Sequence, residues 1–147
     1  MAGEIFTEEE LVHGFESGTL GEFPHASHVR LTLVYLRRHG RDDALRRMTD
    51  GLQKFVALKG VPEKFHITLT RAWLDLLDSA RLAHPEANPE ILVQICPELL
   101  NKDALLRFYS RELLASDAAR TGWLPPDCAP DLDARLLRPE RDTPGRK

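Results

Sequence analysis

The sequence predicts an all-α fold, and three observations predict it. Leucine outnumbers valine plus isoleucine by 24 to 10, and unbranched side chains suit helices where strands draw on β-branched ones. Apolar residues recur at helical spacing through three consecutive segments. No strict apolar/polar alternation runs long enough to make a strand. At 147 residues the chain fits one domain that can bury a core without disulfides or structural metal.

The elements follow in order. Thr7 and Glu10 form a capping-box pair ahead of Leu11 and Val12, and Gly14, Gly18 and Gly21 keep this first helix short. From His25 to His39, Val29, Leu33 and Leu36 make a stripe that Leu31 and Val34 widen, and Gly40 stops it. The next helix starts at about Asp42 or Asp43, carries Leu45, Met48, Leu52, Phe55 and Val56 on one face, and ends at Lys59-Gly60. Pro62 opens a third in its first turn, where a missing N–H costs nothing. Phe65, Leu69, Ala72, Trp73 and Leu76 face its core through about Leu82. The loops between these three are short, so they should run up, down, up as a bundle.

Beyond His84-Pro85 the elements shorten. Asn88-Pro89 starts a helix over Glu90 to Cys96, Asp103 caps one running to Leu114, and Ser116 caps a last turn over Asp117 to Arg120. Five of the ten prolines lie between Pro125 and Lys147. The expected organisation is one helical domain over residues 1–130, with Trp123 to Pro130 lying on it, and a loosely attached or disordered tail over 131–147.

Composition excludes several function classes. A net charge of -3 lacks the basic excess of a nucleic-acid binder. No apolar run approaches the roughly 20 residues that span a bilayer. MAGEIFTEEE is too acidic for a signal or transit peptide, so a cytoplasmic, non-membrane protein is expected. Cys96 and Cys128 are too few for a disulfide framework. P-loop, GxGxxG, HExxH, GxSxG and zinc-finger patterns do not occur.

Three histidines form the candidate site. In an up-down-up bundle the first and third helices are parallel, so His25, His28 and the early His66 should gather at one end. His25 and His28, at i and i+3, share a face. Three neutral imidazoles with an open position suit a catalytic divalent metal, zinc or iron. Glu22, Asp127 or Cys128 is a candidate fourth ligand. Helix N-termini favour anions, however, and Arg30, Lys64 and Arg71 stand nearby. The same residues can therefore frame an anion pocket, with Tyr35 and Thr70 on its wall. His13, His39 and His84 read as surface or helix-end residues, Cys96 as a small core residue, Trp73 and Trp123 as packing anchors, and Arg37-Arg38 and Arg46-Arg47 as solvated faces.

The strings His25-Ala-Ser-His28-Val-Arg30-Leu with Tyr35-Leu36, Lys64-Phe65-His66-Ile-Thr68-Leu-Thr70-Arg-Ala-Trp73, and Phe108-Tyr109-Ser110 with Leu113-Leu114 occur in that order. Ala119-Arg120, Trp123 and Pro126-Asp127 follow. Together they resemble a group of small bacterial all-helical proteins with no established activity. The resemblance spans roughly residues 20 to 130 and implies a single helical domain whose motif residues act as a unit. It implies no reaction.

The leading expectation is a metal-binding helical protein acting on a small molecule, with His25, His28 and His66 as ligands and a metal-activated water. The alternative is a non-enzymatic binding or regulatory module holding an anionic ligand or partner segment. A purely structural oligomerisation domain is a third reading. It predicts exposed apolar surface on the short helices and no cavity beside the histidines.

Overall fold

The computed structural model describes residues 6–137. Positions 138–147 of the expected tail lie outside the described residues. Among the described residues seven α-helices follow one another: α1 Glu8–Ser17, α2 His25–His39, α3 Arg41–Leu58, α4 Ile67–Ala83, α5 Pro89–Ile95, α6 Arg111–Leu114 and α7 Asp117–Thr121. Single 3-10 turns occupy Pro62–Lys64, Pro97–Leu100, Ala104–Arg107 and Ala134–Leu137. No strand occurs among the described residues, so the all-α expectation holds. None of the described helices is long and apolar enough to cross a membrane.

Capping chemistry sets the helix starts. In α1 the Thr7 hydroxyl accepts from the Glu10 N–H at 3.0 Å, and the Glu10 carboxylate accepts from the Thr7 N–H at 2.9 Å, the reciprocal box its sequence encodes. Asn88 caps α5, Ser110 caps α6 and Ser116 caps α7 through their side chains. One residue, Gly40, ends α2 and begins α3. Its φ of 82° belongs to the region glycine enters without a steric penalty.

The core is built around α2. Val29 and every residue from Leu31 to Leu36 are buried, so this helix has no polar stripe along its middle. Inside it the Thr32 hydroxyl donates to the His28 carbonyl at 2.8 Å, and the Tyr35 hydroxyl reaches Glu16 of α1. The helices α1, α3, α4 and α5 and the Pro97–Leu100 turn all contact α2. Ala44 and Met48 of α3, and Ala72, Trp73, Leu74, Leu76, Leu77 and Ala80 of α4, complete the central cluster. Arg41 ties α3 to α4 with a fork onto Asp75, 2.8 and 3.2 Å from its two oxygens. In the last turn of α2, close to Arg41, Arg37 and Arg38 reach Glu8 and Glu9 of α1 rather than standing free.

Three segments differ from the sequence reading. Pro62 starts a 3-10 turn, and α4 begins only at Ile67 with His66 as its cap. The run from Asp103 to Leu114 is not continuous, because the Phe108 carbonyl accepts from the Cys128 N–H at 2.8 Å. A continuous helix would need that acceptor four residues on. Residues 131–137, expected in the tail, are docked: Ala134 and Leu137 are buried, and the Ala134 N–H donates to the Ser79 hydroxyl at 2.9 Å.

Gly51 sits within α3 where the Phe15 ring of α1 lies against its backbone, and a Cβ there would come within 2.0 Å of that ring. Gly51→Ala would add about 1 kcal/mol of helix propensity in an open site. Here the clash dominates, and overpacking of this kind costs about 1–3 kcal/mol. We expect Gly51→Ala to lower the urea midpoint with an unchanged m-value.

Candidate functional site

His25 is the first residue of α2, behind Pro24 at the cap position. Its Nε2 lies 3.0 Å from the Leu99 carbonyl. A carbonyl only accepts, so Nε2 carries the hydrogen and ties α2 to the Pro97–Leu100 turn. The His25 ring meets the edge of Trp73 with centroids 4.6 Å apart and stands 6.1 Å from the His28 ring. His28 packs edge-on against Phe23 at 5.7 Å.

Burial and the neighbouring His25 push the His28 imidazole down to about 4. Burial lowers His25 as well, opposed by its bond to the Leu99 carbonyl and reinforced by Lys102. The spacing of this pair is thus the one predicted, and both rings are neutral at pH 7.

His66 is used differently. As the cap of α4, its Nδ1 accepts from the Leu69 N–H at 3.0 Å. Its Nε2 donates to the Leu114 carbonyl at 2.8 Å, near the end of α6. Both ring nitrogens are therefore committed to backbone. The same turn holds the C-terminal segment at further points. Thr68 donates to the Gly122 carbonyl at 2.7 Å and accepts from the Leu124 N–H at 3.1 Å. Thr70 turns back onto the His66 carbonyl at 2.8 Å, and Arg71 lies over the Trp123 ring at 4.1 Å. The Tyr109 hydroxyl donates to the Leu124 carbonyl at 2.7 Å. Asp127 accepts from both the N–H and the hydroxyl of Ser110, at 2.8 and 2.7 Å. Residues of the Lys64–Trp73 string thus meet the segment from Leu114 to Leu124 across the start of α4.

The remaining expected site residues do not converge on the histidines. Arg30 donates to the Phe6 carbonyl and pairs with Glu90 at 3.0 Å. Arg71 also reaches Asp75 at 3.4 Å, and Lys64 is exposed. The Tyr35 hydroxyl donates to Glu16 at 2.6 Å, and burial together with that carboxylate pushes the phenol upward. Among the described residues no three His, Cys, Asp or Glu side chains form a group able to hold a metal. Of the residues named in advance as fourth ligands, Asp127 is bonded to Ser110 and Glu22 is exposed.

A cavity of about 390 Å³ opens beside the start of α4, lined by Gln53, Val56, Pro62, Phe65, Ile67, Arg120 and Thr121. Phe65 and Ile67 flank His66 in the sequence, but neither His66 nor any other residue expected in the site lines this cavity. Arg120 supplies its charge, paired to Asp117 at 3.3 Å on the same helix. Arg120 is the charged residue of this lining, and a lone arginine in a short helix gives the sequence no signal of it. No protein-family model matches this chain, and neither a curated protein nor a solved structure does.

Two outcomes follow from the imidazoles. His66→Ala removes a cap, worth about 1 kcal/mol, and strands the Leu114 carbonyl at a comparable cost. We expect a loss of about 2 kcal/mol in denaturant unfolding. His66→Asn restores the cap alone and recovers about half. For His28, the unfolded ring titrates near 6.5 and the folded one near 4, so between these values the unfolded chain binds more protons. Its contribution to stability is complete above about pH 6.5 and is lost as pH falls toward 4. Unfolding midpoints measured across that window should slope downward in the parent protein and flatten in His28→Gln.

Proposed function

We propose that the protein is a non-enzymatic helical binding module that holds a small amphipathic carboxylate in the cavity between α3, the Pro62–Lys64 turn, α4 and α7. The observation that carries this reading is the lining: an apolar wall of Val56, Pro62, Phe65 and Ile67 with Arg120 as its cation. A pocket of about 390 Å³ falls in the size range of small-molecule sites, which are mostly apolar with a few placed polar groups. The partner of Arg120 does not compete strongly. Asp117 is 92% exposed, and exposed ion pairs contribute at most about 1 kcal/mol. A ligand carboxylate can displace it and take the guanidinium fork.

The lining also favours binding over catalysis. It contains no His, Cys, Asp or Glu, and the Thr121 hydroxyl donates to the Asp117 carbonyl at 2.8 Å. No nucleophile stands beside a base there. The metal reading has less support, because His66 would have to give up both of its backbone bonds to ligate. A metal bound by His25 and His28 would need ligands from elsewhere.

Isothermal titration with octanoate tests the reading. We expect saturable 1:1 binding, absent with octylamine, weakened at least tenfold in Arg120→Ala and less in Arg120→Lys, with unchanged circular dichroism. Octanoate heats that do not saturate, or that survive Arg120→Ala, overturn it.

A further inference from the structure

A second, smaller cavity of about 220 Å³ lies among α1, α2 and α3, lined by Phe15, Glu16, Tyr35, Arg46, Arg47, Asp50, Gly51 and Lys54. Its chemistry differs from that of the Arg120 cavity, because both signs of charge meet at its edge. Arg46, Asp50 and Lys54 follow one another at i, i+4 and i+8 along α3, a plus–minus–plus row on one helix face. In a solvated row of this kind neighbouring charges pair with each other. Here they do not.

Arg46 turns away from Asp50 to Asp43, and Arg47 reaches Asp43 at 3.0 Å and Glu16 at 3.7 Å. Lys54 donates to the Glu16 carbonyl at 2.8 Å. Glu16 is held in place by the Tyr35 hydroxyl at 2.6 Å. The exposed Asp50 carboxylate has no hydrogen bond or ion pair with any described residue, although three cations stand within a turn of it. Gly51 next to it has no Cβ, so the Phe15 ring closes against the helix backbone and gives the cavity an aromatic wall.

An unpaired carboxylate flanked by cations over an aromatic wall complements a ligand that carries an ammonium and a carboxylate group on one carbon. We infer that this cavity binds a small zwitterionic α-amino acid, its ammonium group on Asp50 and its carboxylate on Arg46 one turn away, in place of the solvent-exposed pair that Arg46 makes with Asp43, with the side chain toward Phe15 and Tyr35. A plain anion would leave Asp50 repelling it, and a plain cation would meet Arg46, Arg47 and Lys54.

The test uses the full chain carrying Arg120→Ala, which removes the carboxylate site proposed above and keeps the two readings separable. Amide chemical shifts of the 15N-labelled protein are followed during titration with L-alanine, acetate and ethylamine. The expected result is saturable shifts at Tyr35, Asp50 and Lys54 with L-alanine, at an affinity at least tenfold above that of acetate or ethylamine. Asp50→Asn should then weaken L-alanine at least tenfold and remove its advantage over acetate, and Arg46→Ala should weaken both. Asp50 and Arg46 are exposed, so both variants should fold, as amide dispersion will show. Equal binding of acetate and L-alanine, or no saturable shift with L-alanine, overturns the inference.

Discussion

Everything else in the fold answers to the burial of α2. A helix with Val29 and Leu31 through Leu36 all removed from water cannot lie on a surface and must be enclosed from every side. Two long partners cover only part of its circumference. The rest falls to α1, α5 and the Pro97–Leu100 turn, which explains why a chain with a strong three-helix stem continues into so many short pieces. Those pieces have little helix stability of their own at four to ten residues. They persist because they pack on α2 and α4, and because capping side chains satisfy their free ends.

The second constraint is the disposal of backbone carbonyls. Short helices end often, and each end leaves acceptors without an intrahelical donor. His25 serves the carbonyl of Leu99, His66 that of Leu114, and Thr68 that of Gly122. Imidazole is suited to this task because one ring can accept at one nitrogen and donate at the other, as His66 does between Leu69 and Leu114. Polar side chains that look like reactive groups in the sequence are, in the fold, the joints between elements.

That difference marks how far the sequence could be read. The stems of α2, α3 and α4, the capping box at Thr7 and the Ser116 cap are all local patterns, and they were legible because their partners lie within a few residues. The later start of α4 was not, since its cap bond from the Leu69 N–H is local but is accepted by a histidine, which is not among the residues that mark a helix start. The break after Arg107 likewise depends on Cys128 N–H claiming the carbonyl of Phe108. A backbone carbonyl carries no sequence signature, so the acceptors of the histidines were invisible. Metal ligation and hydrogen bonding draw on the same residue at the same spacing. Arg120 was hidden for a related reason: its cavity is assembled from α3, the Pro62 turn and α7, and no single segment displays it.

The clasp around His66 and Thr68 has a consequence for the order of events during synthesis. Its donors are complete once the first turn of α4 has formed, but the carbonyls of Leu114 and Gly122 emerge about fifty residues later. Over that interval the growing chain already holds the three long helices, while the start of α4 has nothing to grip. Contacts that close such long loops form late and slowly, and partly covered apolar surface in the meantime is what chaperones recognise. A ribosome stalled before Leu114 would therefore present a formed stem with an open end, and release of the last segment would be the step that shuts it.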